Sequence, residues 1–385
     1  MIYGTMASSC TSLEGFATHE GTKKFADRAA QNGIPSSHFH HFDGLYLSSI
    51  GLGTYLGELT HQDDKAVENA VYESLRSSAI NVIDTAINYR AMRSEKSIGK
   101  ALLRLIRDGV ITRDQLFVCT KNGYITNDGE FPTIDVLEYM HRMYISTGIV
   151  KAGDISSGYN VMNPNYIERC IDKSLANMHL STIDLIYIHN AFESWYQDVN
   201  REEFMEMLGK VFEVYEKYRS RNKIRYYGMA TWTCFRVRPT DKEYLSLEEV
   251  VKLAAKIGGT EHGFKFIQLP YNLAYSEALL VKNQSAGSEK NLNILDAAKL
   301  LNVKVFASAP LLQGQLLRVK LPDYMGLSDQ VTKLIQPIRS SPSVIAVLVG
   351  FKKPEHIKHV VKIASILPLS ESDLATVVDG LLKDV

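Results

Sequence analysis

A carboxylate, a phenol, an ammonium and an imidazole stand at or just beyond the ends of three successive apolar runs. NVIDTAINY carries Asp84 and, five residues on, Tyr89; LFVCTK ends in Lys121; IDLIYIH ends in His189. Each has an ordinary explanation alone. An Asp at a strand end often caps the next helix, a terminal lysine is usually solvated, a lone histidine is often satisfied in a core, and Tyr89 is one of 20 tyrosines. Together they make an acid–base device. A phenol with an ordinary pKa of about 10 is a poor acid or base at neutral pH. A nearby ammonium stabilises phenolate and is expected to lower that value, while the carboxylate fixes and charges the ammonium. Tyr89 then serves as proton donor to a carbonyl oxygen as hydride reaches the carbon, with His189 orienting the same oxygen.

The elements that must position these groups alternate regularly. LYLSSIG, NVIDTA, LFVCTK, IDLIYIH, IRYYGMA, FKFIQLPY, VKVFASAP and SVIAVLVG are β-branched or aromatic-rich and largely apolar on both faces, as strands covered by helices are. Helical patterns are predicted between them at roughly 63–78, 93–107, 164–179, 201–221, 247–257, 292–301, 328–339 and 354–365. In SEKSIGKALLRLI the apolar residues recur at helical spacing, with Ser94 placed as a cap. A strand–helix unit repeated eight times predicts an α/β fold, the (β/α)8 TIM barrel, whose active site lies at the carboxyl ends of the strands. A doubly wound sheet obeys the same layer rules. Its fingerprint is poor here, since Gly51-Leu52-Gly53 is followed by Gly57 instead of a glycine at the required spacing.

Ahead of the barrel, SHFHHF and LYLSSIGLG flank Asp43-Gly44 and predict two strands joined by a type I′ turn. The expected division is therefore an N-terminal extension and hairpin over 1–45 and a barrel over 46–385. The stretch after the third barrel strand far exceeds the ~30 residues of a βαβ unit, so 123–162 is read as an insertion, helical near DVLEYMHRMY. Its Tyr124, Tyr144, Tyr159 and acids suit a partly polar lid. NQSAGSEKN at 283–291 reads as a mobile surface loop.

Lys plus Arg and Asp plus Glu both total 43 in 385 residues, a formal net charge of zero. That balance argues against nucleic acid or a membrane surface as partner and for a small-molecule carbonyl or alcohol. Cys10, Cys119, Cys170 and Cys234 form no CxxC pair and suit a reducing compartment. With no basic and apolar leader at the N-terminus and no apolar stretch near the ~20 residues of a membrane helix, a cytoplasmic location is expected. Tyr-x-x-x-Lys, G-x-S-x-G and P-loop patterns are absent. His38, His40 and His41 put two imidazoles on one strand face, a weak metal candidate without a partner Cys or acid cluster; no metal is expected. His356 and His359 share a helix face, where a role near a cofactor phosphate outranks a metal.

From about Leu47 to Ile366 the chain resembles the aldo-keto reductase family. IGLGT, DTAINYRAMRSEKSIGKAL, CTKNGY, IDLIYIHN, IRYYGMA, IQLPYNL, APLLQGQL and VLVGFKKPEH fall in the family's order, the second of them highly specific. The resemblance implies a catalytic tetrad of Asp84, Tyr89, Lys121 and His189 and a nicotinamide cofactor lying extended across the rim without a Rossmann fold. It implies cofactor contacts at Gly53 and Thr54, with Gln268 on the carboxamide. Leu311 and Gln313 would cradle the pyrophosphate, and Gly350, Phe351, Lys352 and His356 would meet the adenosine end. Three positions depart from the family. Ala230-Thr231 replaces Ser-Asn, so carboxamide binding through Thr231 is rearranged; Ser308 replaces the stacking aromatic; and His356 stands near the usual phosphate-gripping Arg, with Lys352 and Lys353 close by. NADP is the expected cofactor and NAD a possible one, since lysine binds phosphate as a point charge. The implied activity is reduction of an aldehyde or ketone. Sugar or polyol oxidation, or a cofactor-sensing subunit with little turnover, are the alternatives.

Overall fold

A computed structural model describes residues 12–130 and 134–383; Cys10 lies outside them. In chain order the strands are β1 (Phe39–Phe42), β2 (Leu45–Ser48), β3 (Ile50–Gly53), β4 (Val82–Asp84), β5 (Phe117–Asn122), β6 (Ile183–His189), β7 (Ile224–Ala230), β8 (Phe264–Pro270), β9 (Gln284–Ala286), β10 (Glu289–Leu292), β11 (Lys304–Ser308) and β12 (Val344–Gly350). Eight of these close a parallel barrel in the order β3-β4-β5-β6-β7-β8-β11-β12. All eight predicted helices form between them, within two residues of their expected limits. The strand runs are apolar on both faces because each strand is covered twice, by the helices outside and by the barrel contents inside.

The barrel contents are aromatic. Phe117, Tyr187, Tyr226, Phe266 and Phe306 are buried there, and Phe117 stacks on Phe306 at 6.5 Å while Phe266 lies 5.6 Å from Phe306. So dense a filling leaves no room beside Gly228 on β7, where an added Cβ would fall 1.9 Å from the Phe266 carbonyl oxygen. Gly228→Ala must push β7 from β8. We expect a loss near the top of the overpacking range, about 3 kcal/mol, read as a lowered midpoint in urea unfolding.

The hairpin β1–β2 pairs antiparallel across Asp43 (φ 47°) and Gly44 (φ 78°), the two left-handed residues that a type I′ turn requires. It closes the barrel floor, with Phe42, Leu45 and Leu47 in one cluster with Phe117, Phe266 and Leu348. LYLSSIG is therefore two strands rather than one. The break falls at Ser48-Ser49, where the Ser48 N–H turns to Asn81 Oδ1 at 2.8 Å and the Ser48 hydroxyl to the Ile50 carbonyl at 2.8 Å.

Other departures from expectation have equally local causes. A helix over His19–Gln31 occupies what reads as polar, mixed sequence; it buries Phe25, Ala26 and Ala29 along one face. A last helix spans Glu371–Lys383. Ser94 is no cap: the helix Arg93–Arg107 starts after Met92 in the left-handed region, and the Ser94 hydroxyl donates to the Thr54 carbonyl at 2.9 Å. Residues 284–292 form the β9–β10 hairpin instead of an irregular loop, anchored by Gln284 Nε2 on the Phe235 and Leu245 carbonyls. The stretch after β5 contains the expected helix, Val136–Met140. It is pinned where Asp128 pairs with Lys96 at 2.6 Å and Lys173 at 3.2 Å, and Tyr144 is buried edge-on against Tyr166 at 5.0 Å.

Candidate active site

Strand register brings the carboxyl ends together. Gly53 lies opposite Asp84, Asp84 opposite Cys119, and His189 opposite Ala230, which lies opposite Gln268. Lys121 is fully buried; its Nζ donates to Asp84 Oδ2 at 2.5 Å and to the Thr85 carbonyl at 2.8 Å. Gln268 Nε2 donates to the other Asp84 oxygen at 2.8 Å. The ammonium lies 4.7 Å from the centroid of the Tyr89 ring, and His189 meets that ring edge-on at 5.8 Å. The four residues singled out from the strand ends gather on one rim, and Asp84 caps no helix.

The electrostatics differ from the expectation in one respect. The Tyr89 hydroxyl is raised above the ordinary phenol value: burial leads, Asp84 adds to it, and Lys121 opposes without prevailing. Burial alone would lower Lys121, yet the charges of Asp84 and Tyr89 outweigh it and keep the ammonium protonated. Burial, then the charge of Lys121, drives His189 well below its ordinary value, so the imidazole is neutral. Its Nδ1 is buried with no hydrogen-bond partner. The site is a protonated phenol between a cation and a neutral imidazole.

The backbone after Tyr89 is strained. Arg90, Ala91 and Met92 are all left-handed, with φ of 51°, 49° and 69°, an unfavourable run for residues that carry a Cβ. Asp64 holds it there. Arg90 donates to Asp64 at 2.6 Å, and Arg93 grips the other oxygen of the same carboxylate. Arg90 Nε also reaches the Glu58 carbonyl at 2.9 Å.

The rim beside this site is bare backbone. Gly53 and Gly350 are register partners on β3 and β12, and a Cβ on either would meet nothing nearer than 3.7 Å. Leu312, Gln313 and Gly314 turn left-handed one after another, with φ of 44°, 53° and 88°, after Leu311. Phe351 is buried and Lys352 pairs with Asp63; His356 is exposed. The hydroxyls of Thr54 and Thr231 donate to the carbonyls of Asp84 and Gln268 at 3.1 and 3.3 Å. Gln268 is thus satisfied through Asp84 in place of backbone.

The family model for the aldo/keto reductase family matches residues 49–336. The chain belongs to the aldo/keto reductase family. Solved structures agree on the fold. The holo form of an aldo-keto reductase from Bacillus halodurans is 18% identical, with 87% of this chain and 93% of that one covered and a TM-score of 0.56. An aldo/keto reductase from Klebsiella pneumoniae in complex with NADP and acetate is 19% identical, covering 89% and 94%, also at 0.56. A putative 2,5-diketo-D-gluconic acid reductase B is 15% identical, covering 89% and 92%, at 0.55. No curated protein matches the chain.

In this aldo/keto reductase, several residues at the site escaped sequence reasoning. Tyr55, which no motif marks, meets Tyr89 at 5.0 Å, and Tyr124, read from the sequence only as part of a lid, packs its ring edge-on to His189 at 5.0 Å. From the insertion, Asn160 donates to the His189 carbonyl at 2.9 Å and accepts from Trp195 Nε1 at 3.2 Å, tying 123–162 to the end of β6. No motif marks Asn160. Only the glycine before Tyr124 hints at a close approach, and an added Cβ there would meet Asn160 at 2.8 Å. Three of the other histidines singled out from the sequence have partners within the chain. His38 contacts the Ala79 carbonyl at 2.7 Å and Ser49 at 3.0 Å, His40 contacts the Ile345 carbonyl, and His359 contacts Asp329 at 2.7 Å. No group of described residues could hold a metal ion, and no described helix is long and apolar enough to cross a membrane.

Proposed function

We propose that this chain is an NADP(H)-dependent carbonyl reductase that converts an aldehyde or ketone to the alcohol, with Tyr89 as general acid. The observation that carries the reading is the buried Lys121–Asp84 pair beneath the Tyr89 ring, beside a neutral His189. Lys121 lies close enough to stabilise the tyrosinate left when the proton departs. The neutral imidazole offers a hydrogen bond to the substrate oxygen without competing for that proton. Tyr55 and Tyr124 flank the two groups and form apolar walls for the carbonyl substrate.

The rim fits a dinucleotide. The paired glycines let a ligand lie against backbone, beside the left-handed turn at 312–314. Gly53, Thr54, Thr231, Gln268, Leu311, Gln313, Gly350, Phe351, Lys352 and His356 would hold it. When bound, the reduced nicotinamide supplies the hydride. Klebsiella structures in complex with NADP and with NADPH support the phosphorylated form as cofactor.

The direct test is consumption of NADPH in the presence of a panel of aldehydes and ketones. Continuous turnover supports the reading, whereas a single stoichiometric oxidation would favour a sensor. Turnover confined to NADP with sugar alcohols would favour the oxidative direction. Lys352→Gln removes a charge-assisted contact to the 2′-phosphate, an interaction of about 1.5–3 kcal/mol. NADPH should bind about tenfold or more weakly while NADH affinity is unchanged, as read by fluorescence titration.

A further inference from the structure

Of the two tryptophans in the chain, Trp195 is buried, whereas Trp232 keeps 40% of its surface exposed. Single exposed apolar residues are ordinary; what sets Trp232 apart is how it is held. Its backbone N–H, with those of Thr233 and Cys234, donates to Glu193 Oε1 at 2.7, 2.8 and 3.0 Å. Its carbonyl accepts from Arg236 Nε and Nη2 at 3.0 and 2.6 Å. Its ring lies edge-on to Tyr275 at 5.9 Å, and the Arg236 guanidinium lies 5.1 Å from that second ring. Arg236 is itself fixed by Glu277 at 2.8 Å.

The clamp spans neighbouring strand ends on the rim that carries the tetrad. Glu193 comes from the short helix Ala191–Trp195 just past His189, while Tyr275 and Glu277 follow β8. Trp232 stands two residues past Ala230, the end of β7, which lies opposite both His189 and Gln268. Tyr55 and Tyr124 stand at the same step beyond β3 and β5. Alternate strands of the barrel thus each place one aromatic residue at the rim, and the two tyrosines already pack on Tyr89 and His189. Glu193 taken alone could be the cap of the helical turn in which the Val237 N–H donates to the Thr233 carbonyl. A cap does not account for the second grip on the Trp232 carbonyl, nor for a large apolar ring left in solvent between two fixed ends. Fixing an anchor in advance removes part of the ordering cost of binding, and the indole presents a flat π surface. Arg236 is already paired and Glu193 adds negative charge, which disfavours an anionic substrate at this point.

We infer that Trp232 is a specificity-determining residue at the substrate mouth, with Glu193 as its positioning residue, and that the pair favours uncharged aldehydes or ketones bearing an aryl or other flat conjugated group. The inference rests on Tyr89 marking the reacting end of the pocket. The test is NADPH consumption by the full chain with benzaldehyde and with propanal. In Trp232→Ala the benzaldehyde-to-propanal ratio of kcat/KM should fall about tenfold, the size of one good aromatic contact, mainly through KM. Trp232→Phe should restore most of it. Glu193→Ala should lower the ratio as well, and Glu193→Gln, which keeps an accepting oxygen, should hold it near the wild-type value; a merely structural role would slow both substrates alike. Calorimetric titration with benzyl alcohol, NADP being present, separates this inference from the reading beneath it. If neither aldehyde is consumed, that reading falls, and the platform stands only if benzyl alcohol binds and Trp232→Ala weakens the binding. If aldehydes are consumed, an unchanged ratio in Trp232→Ala overturns the inference and leaves the reading intact.

Discussion

Replacing Tyr89 with phenylalanine should lower kcat for carbonyl reduction by about 10²–10⁴-fold, the usual contribution of a positioned general acid, while NADPH binding changes by less than about twofold. The phenol ring packs 4.7 Å from Lys121 and 5.8 Å from His189, and its hydroxyl accepts a hydrogen bond from the Lys121 ammonium, so phenylalanine keeps the packing and loses the hydroxyl with its proton. Steady-state rates alongside cofactor titration check both halves. Retention of most activity by Tyr89→Phe would sink the proposed mechanism. The pH dependence has a definite sign. Reduction needs the protonated phenol, and burial raises the Tyr89 pKa, so kcat should hold through neutrality and fall only as pH rises past the ordinary phenol value of about 10. Because His189 is already neutral, the imidazole should add no step near 6.5, where histidine ordinarily titrates.

The second large effect concerns stability. Lys121→Met leaves Asp84, whose carboxyl pKa burial already raises, without its cation in a site where both partners are buried and only Gln268 still donates to it. Removing one partner of a buried pair typically destabilises a protein by about 3–5 kcal/mol. We expect that loss in urea unfolding at pH 7, and recovery of much of it in the Lys121→Met/Asp84→Asn double variant, which has no charge left to strand. The linkage is also signed. The folded-state pKa of Lys121 is raised, so the pair's stabilisation is complete below the unfolded lysine value of about 10.4 and is lost as pH climbs through the folded value. A double variant no more stable than the single one would mean that lost packing, rather than a stranded carboxylate, causes the damage.

The barrel and the position of the candidate site were legible because two signals agreed. Apolar runs such as IDLIYIH have no polar face, which fits only doubly covered strands, and the reactive side chains fell at the ends of those runs. Where sequence reasoning failed, the controlling interaction was long-range. LYLSSIG has no Gly or Pro to divide it; Asn81, from another element, draws Ser48 out of line. Ser94 looks like a cap, but the left-handed Arg90–Met92 run starts the helix without one. The direction of the Tyr89 shift depends on burial competing with Lys121, and charge types alone show only one side of that contest. Gln268 was assigned a ligand by resemblance, and its bond to Asp84 appears only once the barrel closes and brings β8 and β4 to the same rim. Asn160 lies in a segment whose composition shows nothing of its contact with β6.

The hairpin over the barrel floor bears on proton traffic. Phe42, Leu45 and Leu47 pack beneath a layer of aromatic rings below Lys121 and Asp84. In the proposed reaction, a tyrosinate formed at Tyr89 would regain its proton from the rim, on the side that admits substrate. On that proposal, re-protonation would be coupled to the exit of the alcohol, and a molecule that stays in the mouth of the barrel would also keep the acid from being recharged.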